Sequence, residues 1–282
     1  MQQKYILTLI CRDDFGIVAA VSGCLSHLGA FIIESSQFGD AVSERFFMRL
    51  LFSIPDYENE ELIYNLRPII ERYNMTARLV KQEFKPKTLI LVSKESHCLN
   101  DILHRAFSSN LPIEVFGVVS NHEYLKPMAN WYKIPYYHIP VSPDTKPKAE
   151  QELLKIIKNN HIDLVILARY MQVLSPELCG KLLGKAINIH HSFLPSFKGA
   201  RPYHQAYERG VKMIGATAHY VTSDLDEGPI IYQVAMRVSH EHGPHQLIAL
   251  GRDAECQALT RAIALVAEQR VLINKNKTVV FS

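Results

Sequence analysis

TLILVSKESHCLNDILHRAFSSNLPIEVFGVVS, Thr88–Ser120, decides the fold. Thr88–Val92 is apolar without a break, Ile113–Ser120 is nearly so, and His97–Phe107 between them has helical spacing. A strand with one wet face alternates polar and apolar residues; a continuously apolar strand is covered on both faces, as in parallel sheets. Parallel neighbours need a crossover, usually a helix. The alternation continues downstream. Glu123–Tyr132, Lys148–Asn159, Pro176–Leu183 and Pro202–Arg209 read as helices. Tyr136–Pro140, Leu164–Ala168, Ala186–His190, Gly215–Val221 and Ile230–Val238 read as strands. A long helix over Pro244–Val271 and a short strand over Thr278–Phe281 close the chain. The expected fold class is α/β with a doubly wound, mostly parallel sheet.

Upstream, the pattern is different. Tyr5–Ile10, Phe31–Phe38, Arg45–Ser53 and Met75–Val80 read as strands, and Ile17–Leu28 and Glu58–Tyr73 as helices. The order β-α-β-β-α-β is ferredoxin-like. QEFKPK (Gln82–Lys87), with its charge and Pro86, reads as a linker. Two domains are expected over the 282 residues, 1–85 and 86–282.

Composition narrows the function classes. Hydrophobic residues make up 48% and charged residues 21%, as in a soluble globular protein. The formal net charge of +3 is too mild to suggest a nucleic-acid partner. The five cysteines are odd in number and form no CxxC pair, which argues against a disulfide framework or a zinc ribbon. The N-terminal apolar run is too short for a signal peptide, and no run reaches membrane-spanning length. A cytoplasmic protein with no membrane partner is expected.

The chemistry concentrates in Ala186–Tyr232. Asn188 and His190 lie two apart at the end of an apolar strand, and sites in open α/β sheets lie beyond strand carboxyl ends. His219 and Asp226 follow on and after the next apolar segment. An amide to hold an oxyanion, an imidazole to move a proton and a carboxylate to orient water suit acyl-type chemistry. Taken alone, N-x-H also fits a strand-end capping pair, and Asp224, Asp226 and Glu227 could decorate a turn closed by Gly228 and Pro229. His190, His191 and His219 match no zinc spacing, so no metal is expected. No GxGxxG follows Thr88–Val92; the loop there is Ser93–His97, which leaves dinucleotide binding unsupported. His240, Glu241, His242 and His245 read as a solvated loop.

NIHHSFLPSFKGARP (Asn188–Pro202), TAHYVTSDLDEGPII (Thr217–Ile231) and MQVLSP (Met171–Pro176) together resemble the folate-dependent formyltransferase superfamily over 88–282. The first block is similar to an ACT domain, a small ligand-responsive module. The resemblance implies Asn188, His190 and Asp226 as the catalytic set, with His219 holding Asp226 or His190. It implies a folate pocket walled by Met171, Val173 and Leu174, with Val221, Thr222, Asp224 and Leu225 at the pterin ring. The substrate would be 10-formyltetrahydrofolate, with no separate cofactor. The catalytic set is shared by transfer to an amine and by hydrolysis, and cannot choose between them.

Three features outside that set favour water. Ser93–His97 has an acid and no glycine where glycinamide ribonucleotide transformylase carries a Gly-Ser-rich phosphate loop. The sequence ends soon after its last long helix, where methionyl-tRNA formyltransferase has a further domain. The ACT-like block suits flux control. Hydrolysis to formate and tetrahydrofolate, supplying formate for purine biosynthesis, is expected. The same block implies a homo-oligomer, a tetramer, with an amino-acid effector such as glycine or methionine, and the loop around Gly16 as a contact. His191 and His204 read equally as structural or functional. Lys198 and Arg201 read as surface charge or as contacts for the folate's glutamate carboxylates.

Overall fold

A computed structural model describes residues 3–55, 57–194 and 202–282. The chain forms two compact units, Met1–Phe84 with Glu268–Ser282, and Lys85–Ala267. The first boundary falls inside QEFKPK. The second departs from the expected division, because the last residues belong to the first unit rather than to 86–282.

In the first unit β1 (Gln3–Arg12), α1 (Ile17–His27), β2 (Phe31–Asp40), β3 (Arg45–Ile54), α2 (Asn59–Arg72) and β4 (Thr76–Lys81) follow the ferredoxin-like order. The sheet runs β2-β3-β1-β4, antiparallel at every pairing. Ile17, Val21 and Leu25 recur at helical spacing on α1, and Leu62 and Leu66 on α2. These stripes pack against Leu7, Leu9, Met48 and Leu50 of the sheet.

The second unit contains β5 (Lys87–Val92), α3 (His97–Phe107), β6 (Glu114–Ser120), α4 (Lys126–Trp131), β7 (Tyr136–His138), α5 (Lys146–Asn159) and β8 (Leu164–Leu167). It continues through α6 (Pro176–Lys181), β9 (Ala186–His190), α7 (Pro202–Glu208), β10 (Met213–Tyr220), β11 (Ile230–Arg237) and α8 (Pro244–Ala267). Its sheet is ordered β11-β10-β9-β8-β5-β6-β7. The pairings from β9 to β7 are parallel, and those of β10 with β9 and β11 are antiparallel. The chain steps outward from β5 through β6 and β7, then returns to lay β8 and β9 on the other side of β5. That reversal is a topological switch point, where the strand ends leave a crevice.

The end of the chain corrects the expectation of one helix over Pro244–Val271. Gln269 has a left-handed backbone (φ 56), which a right-handed helix cannot continue through. α8 therefore stops at Ala267, and β12 (Val271–Asn274) pairs with β13 (Lys277–Val280) as a hairpin. Leu272 and Phe281 pack on Phe47, Arg49 donates to the Glu268 carbonyl at 3.2 and 3.1 Å, and Asn274 donates to Asp40 at 2.7 Å. β3 consequently has cover on both faces and is buried from Phe46 to Ile54. Among the described residues, no helix is long and apolar enough to cross a membrane.

Candidate active site

The site begins at the carboxyl end of β9. Asn188 and His190 are two apart in a strand, so their side chains leave on one face. β10 lies antiparallel beside them with His219 directly opposite Asn188, next to an irregularity in the β10–β11 register at Ala218/His219. Bulges of this kind re-aim side chains beside active sites. The His219 Nδ1–H donates to the Tyr220 carbonyl at 2.9 Å, which leaves Nε2 to accept from the Asn188 amide at 3.2 Å. Burial lowers the proton affinity of His219 below its ordinary value, consistent with this neutral tautomer. The Asn188 amide is thereby oriented nitrogen-first. A primary amide has two N–H groups, so one remains to donate elsewhere.

Asp226 arrives on the loop after β10. The Tyr220 N–H donates to the Pro229 carbonyl at 2.9 Å, closing the loop at its base. Gly228 permits this closure: a Cβ there would lie 1.7 Å from the Tyr220 carbonyl oxygen and 3.2 Å from His219 Nδ1. Asp226 itself is left-handed, with φ 58, a conformation Asp tolerates better than most residues. Its Oδ2 is 3.2 Å from His190 Nδ1 and its Oδ1 is 3.8 Å from His219 Nε2. The His190 hydrogen bond, opposed by partial burial and assisted by the charges of the nearby histidines, holds the Asp226 carboxyl below the usual carboxylate range. His190 Nε2 is shielded from solvent and has no hydrogen-bond partner among the described residues. Such an atom calls for an ordered water or a ligand group.

The residues expected for catalysis and for the folate pocket wall and pterin ring line one cavity of about 230 Å³. Asn188, His190 and His219 come from strand ends. Met171, Val173 and Leu174 come from the loop after β8. Val221, Thr222, Asp224, Leu225 and Asp226 come from the loop after β10. Leu174 and Val221 are buried behind the surface, whereas Met171, Val173 and Leu225 are 61%, 56% and 62% exposed. Large apolar side chains left open around a few polar groups are the lining typical of a small-molecule pocket. The loop after β5 braces this wall: Ser93 Oγ donates to Asn121 at 2.7 Å and accepts from the Met171 N–H at 3.0 Å.

The structure adds a buried polar cluster that sequence reasoning missed. Arg169, left-handed at φ 62, donates from Nη1 to His191 Nδ1 at 2.9 Å. Its Nε lies 3.5 Å from Glu255 Oε2. Glu255 also accepts from His97 at 2.8 Å and from Tyr203 at 3.0 Å. Burial raises the Glu255 carboxyl, but these donors and the Arg169 charge outweigh it and bring the net shift below the ordinary value. Burial, then the charges of Arg169 and His190, push His191 down to about 4. His97, Cys98 and Glu255 bring ligand-type atoms within 4.8 Å of one another, but the Arg169 guanidinium on Glu255 opposes a cation there. His204 is exposed on α7, and His240 and His245 are exposed around the loop before and at the start of α8. Lys198 and Arg201 lie outside the described residues.

Comparison with known proteins agrees with this layout. The family model for formyl transferases matches residues 86–263. A formyltetrahydrofolate deformylase of Corynebacterium sp. (strain P-1) is 50% identical over 282 residues, covering 99% of this chain and 98% of the relative. The crystal structure of a formyltetrahydrofolate deformylase from Burkholderia mallei superposes with a TM-score of 0.96 at 48% identity, over 99% of this chain and all of that one (100%). A glycinamide ribonucleotide transformylase from Symbiobacterium toebii has a TM-score of 0.66 at 29% identity, and covers 73% of this chain against 98% of its own. The identity to the first two runs through both units, and on that basis the chain belongs to the formyltetrahydrofolate deformylase family.

Proposed function

We propose that the protein hydrolyses 10-formyltetrahydrofolate to formate and tetrahydrofolate, with Asn188, His190 and Asp226 at the reacting atoms. The observation that carries the assignment of roles is the chain of contacts Asn188–His219 and His190–Asp226 inside the open-walled cavity. Water adds its oxygen to the formyl carbon and gives a proton to Asp226, whose depressed carboxyl is ionised near neutral pH. The carbonyl π bond opens to a tetrahedral oxyanion, which takes the spare Asn188 N–H. The C–N bond then breaks as His190 gives a proton to the departing folate nitrogen. Formic acid ionises, Asp226 releases its proton, His190 regains one, and one proton is released per turnover. A single oxyanion donor of this kind contributes about 100-fold to 1000-fold in rate. Met171, Val173, Leu174, Val221, Thr222, Asp224 and Leu225 hold the pterin, and folate serves as substrate rather than cofactor.

The deciding experiment is turnover without an acceptor. Formate released from 10-formyltetrahydrofolate in buffer alone supports hydrolysis. Turnover only on adding an amine such as glycinamide ribonucleotide would assign the protein to transfer instead.

The ferredoxin-like first unit supports the finer reading of an ACT domain, and with it a homo-oligomer, a tetramer, responsive to an amino acid. The hydrolysis reading goes with a cytoplasmic enzyme that supplies formate for purine biosynthesis. Light scattering reports the assembly. A thermal-shift series against free amino acids reports the effector, and no response to any of them retires that part.

A further inference from the structure

His191 and the cluster behind it have no part in the reaction as written, yet they occupy costly ground. The His191 ring stacks on that of His190 with centroids 4.7 Å apart and planes 21° from parallel. Two imidazoles this close cannot both carry charge cheaply. Which one stays neutral is settled by the groups facing each. His190 faces Asp226, whereas His191 Nδ1 accepts from the permanently charged Arg169. Arg169 is held in turn by Glu255, itself fixed by His97 and Tyr203. The phenol of Tyr203 reaches Glu255 across Gly251, where a Cβ would lie 2.1 Å from the ring. A glycine inside a helix is unfavourable relative to alanine, and here it makes room for that contact. The left-handed backbone at Arg169 is a second local cost, and strain of this kind clusters at functional sites.

We propose that His191 is a positioning residue: clamped by Arg169 and Glu255, its neutral ring is the platform that orients the His190 imidazole toward Asp226. His191 lines the same cavity, and its action is through the orientation of His190.

The inference rests on the hydrolysis reading, and one set of measurements separates the two. Formate release by the unaltered protein tests hydrolysis; its absence sinks that reading. Given an active enzyme, His191→Ala should lower kcat by about tenfold or more and leave KM within about twofold, because the reacting atoms are misaligned rather than the folate released. His191→Phe keeps a flat ring without the acceptor for Arg169, and should fall between the two. It also serves as the test should His191→Ala not fold. In a His190→Ala background, replacing His191 should cost nothing further, since residues acting as one unit are non-additive. An unchanged kcat in folded His191→Ala or His191→Phe overturns the proposal. So does a loss confined to KM, or an equal loss with and without His190.

Discussion

Gly228→Ala tests how the loop after β10 delivers its carboxylate. The added Cβ would lie 1.7 Å from the Tyr220 carbonyl oxygen and 2.9 Å from its carbon, under the 3.0 Å that Cβ contacts respect. Both obstacles are backbone, so no side chain can swing away. The loop must lift from β10 by roughly 1 Å or more, and misplacement on that scale costs about 100-fold in rate. Asp226 lies two residues away. A lift of that size breaks its 3.2 Å contact with His190 and strains the 2.9 Å closure from Tyr220 to Pro229, itself a net contribution of about 1 kcal/mol. We therefore expect kcat to fall by about 100-fold, with a modest loss of stability. Formate dehydrogenase coupled to NAD reduction measures the first, and urea unfolding the second. The loss should not add to that of Asp226→Asn, because both remove one carboxylate from one place. A folded Gly228→Ala enzyme with wild-type kcat would refute the claim that this glycine sets the position of Asp226.

Asn188→Ala should retain the fold and lose about 100-fold to 1000-fold in kcat as one oxyanion donor disappears, measured by the same assay. Asp226 has its folded proton affinity depressed by His190. It therefore contributes stability fully present above the unfolded carboxylate value of about 3.9 and lost as pH falls through the lower folded value. Urea midpoints followed downward from about pH 5 should decline less steeply for Asp226→Asn than for wild type. Glu255→Ala removes the buried acceptor shared by His97 and Tyr203 and the carboxylate facing Arg169, a loss of about 1–3 kcal/mol that denaturant titration reads directly.

The second unit was legible because its strands are apolar throughout. Thr88–Val92 permits few readings other than a strand covered on both faces. The same rule applied to Arg45–Ile54, RFFMRLLFSI, would have shown that β3 has cover on both faces. One layer of helices supplies only one of them, so a second cover had to come from elsewhere in the chain. The hairpin at the end supplies it. Its start was hidden because Val266, Ala267 and Val271 prolong the apolar pattern of α8, and the break falls at Gln269, whose left-handed backbone carries no glycine or proline signal.

At the site, strand period puts Asn188 and His190 on one face, because side chains two apart share it; the wider signature was needed to set aside a strand-end capping pair. Composition leaves Asp224, Asp226 and Glu227 alike; the resemblance singles out Asp226, and the loop closed at Gly228 brings its carboxylate to 3.2 Å from His190. Glu255 carried a signal that went unused. It lies on the buried stripe of α8 with Gly251, Ala254, Ala258, Leu259 and Ala262, and a carboxylate on such a stripe requires a cationic partner. Its partners, Arg169 and His97, are distant in sequence, so the need was visible and the answer was not.

That cluster also bears on the acceptor. The loop after β5 is where the resemblance to glycinamide ribonucleotide transformylase leads one to expect a Gly-Ser-rich phosphate loop. Here Ser93 is tied to Asn121 and the Met171 N–H, Glu95 to Arg252 at 2.9 Å, and His97 to Glu255. A phosphate would meet the carboxylate of Glu95, and Arg252 and His97 are already engaged with carboxylates, which leaves the exposed Lys94 as the other base of the loop. Freeing Arg252 would take the 2.9 Å cation from Glu95, and freeing His97 would remove one of the donors to the buried Glu255, which keeps Arg169 and Tyr203. Repulsion of a competing ligand is as effective a route to specificity as attraction of the right one. Water carries no charge to repel, so the same loop leaves hydrolysis untouched.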